Sequence, residues 1–144
     1  MNRHIQTLFC DDIRHEVGGK YSYIGVYGER LIVSTFPTIL PKLCLALKVV
    51  TPATRPFSQL SLEVLIDDRT LAHWSFDEAA LTETCETVVQ ADPHEISGEL
   101  AQIVSAAFVF SPLHLESSGF LRVRAETESG TLDGLTLHVE QGKQ

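Results

Sequence analysis

"QLSLEVLIDDRTLAHWSF", residues 59–76, decides the fold class. Leu60, Leu62, Val64 and Ile66 fall on one parity and Ser61, Glu63 and Asp67 on the other, the period-two pattern of a strand with one dry face. The polar break Asp67-Asp68-Arg69-Thr70 supplies turn chemistry. The chain then returns with Ala72, Trp74 and Phe76 opposed to His73 and Ser75. The stretch predicts a β-hairpin.

Working outward, the same alternation recurs. "KLCLALKVV", residues 42–50, sends Leu43, Leu45, Leu47 and Val49 to one side and closes at the proline-bearing loop "TPATRPFSQ". "GFLRVRAET", residues 119–127, puts Leu121, Val123 and Ala125 inward and Arg122, Arg124 and Glu126 outward. "ESGTLDGLTLHVE" then turns on Gly130 and Gly134 and returns with Leu135, Leu137 and Val139 inward, which predicts a closing hairpin. In "ISGELAQIVSAAFVFSP" the first half fits a helical period, but the aromatic and β-branched "AAFVF" predicts a strand over residues 102–110. "SFDEAALTETCETVVQADP" opens on Asp77 as an N-cap and carries Leu81, Cys85, Val88 and Val89 at helical spacing, which predicts a short helix ending before Pro93.

About eight short strands joined by hairpins, with one short helix on a connection, specify a mainly β protein. The expected architecture is a two-layer antiparallel β-sandwich, Ig-like or C2-like, in which residues 1–144 form a single domain. A chain of 144 residues buries roughly 70% of its unfolded surface, enough for a core without staples.

Charge limits the partners. Eleven basic against nineteen acidic residues give −8, which repels phosphate backbones and anionic lipid, so neither nucleic acid nor membrane is expected as a partner. Cys10, Cys44 and Cys85 are odd in number and form no CxxC pair, which points to a reducing compartment and away from a disulfide framework. The N-terminus "MNRHIQTLFCDD" lacks the apolar core of a signal peptide, and no run approaches the ~18 apolar residues of a membrane span. A soluble, cytoplasmic protein is expected.

Several stretches resemble one family: "CDDIR", the glycine-lysine turn before "YSYIGVYG", "LPKLCLALKV" and the closing "SSGFLRVRAETESGTLDGLTLHV". Together they are similar to a widespread family of small, uncharacterised β-sandwich proteins of bacteria and their phages. Phe120, Arg122 and Arg124 fill that family's pattern of an aromatic residue after a glycine, followed by alternating basic and apolar positions. The resemblance implies the fold and an intracellular setting, and it transfers no site. Residues 77–98 depart most from it.

The candidate chemistry is concentrated in "CDDIRHE", residues 10–16. Asp11, Asp12, His15 and Glu16 are weak candidates for metal ligands or acid-base groups. They lack both the alternating oxygens and glycine bend of a Ca²⁺ loop and an HExxH pair. The plainer reading ends the strand at Cys10, uses the Asp pair in an Asx-type turn and pairs Arg14 with one of them. No GxSxG elbow, nucleophilic cysteine signature or P-loop is present, so no catalytic residue and no cofactor is assigned.

In "YSYIGVYG", Tyr21, Tyr23 and Tyr27 share a parity opposite Ile24 and Val26. With Ile24 and Val26 inward, the tyrosines would line an outer face suited to contact, and Arg122 and Arg124 are the other outward candidates for protein binding. The expected function is therefore non-enzymatic: a protein-binding or assembly module, phage-linked as a structural component or an inhibitor of a host protein, with a protein partner or self-association. The alternative is a small metal-dependent enzyme or ligand-binding protein built on the Asp11, Asp12, His15 and Glu16 cluster. Ligand capture between the sheets would leave no mark in the sequence.

Overall fold

The computed structural model describes residues 2–90 and 99–143. The first sheet is built from β1 (His4–Glu16), β2 (Lys20–Val26), β5 (Leu43–Pro52), β8 (Cys85–Gln90) and β9 (Glu99–Phe110), in the order β2-β1-β5-β9-β8. The second contains β3 (Arg30–Val33), β6 (Leu60–Ile66), β7 (Arg69–Phe76), β11 (Gly119–Thr127) and β13 (Leu137–Gln141), in the order β3-β13-β11-β6-β7, with β12 (Gly130–Asp133) also on β11. A small ladder joins β4 (Thr38–Leu40) to β10 (Leu113–Leu115). Among the described residues all ladders are antiparallel except β3 with β13. The protein is a mainly β, two-layer sandwich, with one short helix among the described residues.

The core lies where the alternation places it. Phe9, Leu43, Leu45, Leu47, Val49 and Val104 from the first sheet meet Leu62, Val64, Leu121, Val123, Leu137 and Val139 from the second in one buried cluster. Leu60, Leu62, Val64 and Ile66 are all buried, so the hairpin of residues 59–76 forms as expected. Its turn is shorter than the four-residue break, because Arg69 and Thr70 already pair with Ile66 and Leu65.

Three expectations are corrected. The strands number thirteen among the described residues, not about eight, because short edge segments such as β3, β4 and β10 are stabilised by pairing, not by length. The helix begins where expected: the Asp77 carboxylate accepts from the Ala80 N–H at 2.7 Å. However, α1 spans only Glu78–Thr84, and Cys85, Thr87, Val88 and Val89 belong to strand β8 along β9. A β-branched run beside a free strand edge gains a full ladder there, and this outweighs a weak helical period. The expected stop at Pro93 lies outside the described residues. Finally, Leu137 and Val139 point inward, whereas Leu135 is exposed. The closing hairpin is broken at residues 134–136, with β12 and β13 pairing against different parts of β11.

Candidate functional site

β1 does not end at Cys10. It runs on to Glu16, and only His4–Cys10 pairs with β5. From Asp11 onward the strand has β2 as its ladder partner, so residues 11–26 form a two-stranded arm beyond the first residues of β5. Gly18 and Gly19, both at positive φ, carry the tight turn at its tip beside the exposed Val17.

The side assignment of the tyrosines is also corrected. The Tyr27 N–H donates to the Phe9 carbonyl, Tyr23 lies opposite Ile13, and Tyr21 lies opposite His15. Alternation from the buried Phe9 therefore puts all three tyrosines on the core-facing side of the ladder, where Tyr27 packs against the core. Ile24 and Val26, expected inward, lie opposite Asp12 and Cys10 on the outer side and are 40% and 54% exposed. Beyond the sandwich both sides of the ribbon are open, so Tyr21 and Tyr23 are exposed as well.

At the root of the arm, Gly25 makes room for the Asp11 side chain. Its φ is +68°, and a Cβ there would lie 2.2 Å from Asp11 Oδ2. The Asp11 carboxylate thus lies over the glycine and accepts from the Tyr27 hydroxyl at 2.7 Å. Burial, together with that carboxylate, pushes the Tyr27 phenol well above its ordinary value.

The Asp pair does not form an Asx-type turn. Asp12 accepts from Lys42 Nζ at 2.6 Å, and Arg14 Nε lies 3.5 Å away, which keeps the Arg14 pairing that the sequence suggested. Glu16 accepts from Ser22 Oγ at 3.0 Å, and the His15 ring meets Tyr21 edge-on at 4.9 Å. Alternation divides Asp11 and His15 from Asp12 and Glu16, and among the described residues no group of three or more His, Cys, Asp or Glu is placed to hold a metal ion.

The Lys42 bond, with Arg14 beside it, holds the Asp12 carboxyl below its usual range despite some desolvation. A depressed folded pKa contributes stability above the unfolded value, and that stability is lost as pH falls through the folded one. Asp12→Asn is therefore expected to melt below the parent at neutral pH and to converge with it in acid. Thermal melts across pH check this, and parallel curves would contradict it.

Arg122 and Arg124 sit on the outer side of the other sheet. Arg122 donates to the Asp67 carbonyl at 2.6 Å, Arg124 lies 3.6 Å from Asp133, and Phe120 stacks on His138 at 4.6 Å. They do not share a sheet with the tyrosines, so the five expected contact residues form two separate surfaces. Lys42, Ile24 and Val26 are the site residues the sequence reading missed. Only the overlong first strand could have hinted at the arm.

Beside α1 a cleft of about 620 Å³ is lined by residues that include Phe57, Leu81, Cys85, Gln102 and Val104. Among the described residues no helix is long and apolar enough to cross a membrane.

A model of a family of unknown function (DUF6941) matches residues 6–140. The chain belongs to that family. The match takes in both sheets of this DUF6941 member, and the arm with them. No curated protein and no solved structure matches the chain.

Proposed function

We propose that this protein is a non-enzymatic, cytoplasmic binding or assembly module that engages protein through the β1–β2 arm. The observation that carries this reading is the composition of β2: four of its seven residues, Tyr21, Tyr23, Ile24 and Val26, are large, apolar or aromatic, and exposed. Single exposed apolar residues are ordinary, but a contiguous set on one edge strand is the mark of a contact surface. β2 ends its sheet, so its outer N–H and C=O groups are available to a further strand.

The strand is also self-complementary. Antiparallel pairing of two copies about Tyr23 sets Ser22 against Ile24, Lys20 against Val26, and Tyr21 against Gly25, where a ring meets no opposing side chain. This supports a second copy as the partner. The family resemblance supports a phage-linked role, as a structural component or an inhibitor of a host protein.

The test combines light scattering over a concentration series with partner capture, comparing the parent with Ile24→Glu. Ile24 is exposed, so the variant is expected to keep its melting temperature. Association should weaken by at least about tenfold, or about 1.4 kcal/mol. A parent that stays monomeric and holds no partner, or an association indifferent to Ile24→Glu, would remove the proposal.

A further inference from the structure

Cys10, Cys44 and Cys85 are free thiols, and two of them face each other. Cys10 on β1 lies directly opposite Cys44 on β5, at the last rung before the arm projects. Both side chains are fully buried. Alternation sends Cys44 away from the core-facing Leu43 and Leu45, and Cys10 away from Phe9, so both thiols lie on the outer side of the first sheet.

Both sulfurs also turn toward one short piece of backbone. Cys10 Sγ donates to the Asp12 carbonyl at 3.4 Å, and Cys44 Sγ donates to the Asp11 carbonyl at 3.8 Å. Directly opposed residues of an antiparallel ladder lie about 4.5–5.5 Å apart at Cα. A disulfide spans roughly 4.4–6.8 Å between Cα atoms, so the backbone already stands at bonding separation. Thiol-to-carbonyl contacts are weak, and giving them up is a small cost.

We propose that Cys10 and Cys44 are a site of oxidative modification, at which a peroxide closes a cross-strand disulfide at the root of the arm. One thiol loses its proton, and its sulfur attacks the O–O bond of hydrogen peroxide, forming a sulfenic acid and releasing hydroxide. The second thiol, deprotonated in turn, attacks that sulfur. The S–O bond breaks, and hydroxide leaves as water. Overall, two thiols and one peroxide become one disulfide and two waters; the sulfurs give up two electrons, and the peroxide takes them.

Burial, and after it the neighbouring Cys44, raises the Cys10 thiol above its ordinary value, so the reaction quickens with rising pH. Cys44 is the second residue of β5, and an oxidant as small as hydrogen peroxide would reach the buried pair through local opening of the fold. The bond closes a loop that contains β2, β3 and β4, and so locks the arm's first strand to β5. This inference does not depend on what the arm binds.

The experiment treats the folded full chain, in a Cys85→Ser background, with hydrogen peroxide. Remaining thiols are then alkylated under denaturing conditions, and the protein is weighed and mapped after trypsin. The expected product is lighter by about 2 Da, for the two hydrogens lost. Its map joins peptide His4–Arg14 to peptide Leu43–Lys48, and dithiothreitol separates them again. Adding Cys44→Ser or, separately, Cys44→Ala should abolish the 2 Da loss. Two thiols that remain fully alkylatable, or that each take up oxygen without linking, would overturn the proposal.

Discussion

Replacing Phe9 with alanine is expected to destabilise the protein by about 3–5 kcal/mol, as emptying a fully packed aromatic site does. Phe9 is 1% exposed, lies opposite Leu45, and accepts the Tyr27 N–H at its carbonyl, so it joins the core to the root of the arm. A loss of this size is a large share of the roughly 5–15 kcal/mol that holds most domains folded. Urea denaturation would show a lower midpoint at an unchanged slope. The neighbouring Leu8→Ala, on the outer side of the same strand and only partly buried, should cost much less. Equal losses at the two positions would mean that the register of β1 is shifted by one residue.

Arg3→Met is the second large effect, expected at about 3 kcal/mol, because removing one member of a buried charged network strands its partners. The Arg3 guanidinium is buried and donates to Thr51 Oγ1 at 2.9 Å, Ser129 Oγ at 2.8 Å, and the Arg55 and Pro56 carbonyls at 3.0 and 3.1 Å. It also pairs with Glu128 and lies 4.6 Å from the centre of the Phe57 ring. One side chain thus ties the N-terminal segment to the loop after β5 and to the β11–β12 turn. Methionine fills the space and supplies none of those donors.

The loss should depend on pH. Burial alone would raise the Glu128 carboxyl, but the bond from Arg3 and the charge beside it bring it below its ordinary value. Its stabilising share is therefore present above the unfolded carboxylate range and disappears as pH falls through the folded one. The parent and Arg3→Met should differ most near neutrality and approach each other in acid. A gap that stays constant with pH would show that the Glu128 pair contributes little.

The β6–β7 hairpin, the dry face of β5 and the Asp77 cap were legible in the sequence, because each rests on contacts between residues close in the chain. Leu60, Leu62, Val64 and Ile66 alternate with polar neighbours over a few positions, and the Asp77 carboxylate needs only the Ala80 N–H. The weak metal candidates and the tyrosine row were also visible as residues. Their arrangement was not, because which side of the arm is covered depends on how far β5 reaches along β1.

The same division explains the misreadings. Alternation in "YSYIGVYG" shows that tyrosines and aliphatics oppose each other, but not which set faces the core. The Tyr27–Phe9 rung decides that. Helical spacing in "LTETCETVV" is real, yet the free edge of β9 offers a ladder that no local window contains. Nothing near Arg3 in the sequence announces Thr51, Pro56 or Glu128, and nothing near Cys10 announces Cys44.

Period-two hydrophobicity and turn residues by themselves determined that this chain is a mainly β sandwich, and which side chains of β5, β6 and β11 face its interior. The tertiary structure alone decided the arm, the Arg3 network and the facing thiols. Their physical cause is strand register between distant segments, and a one-residue slip of register reverses every side chain without altering the local pattern.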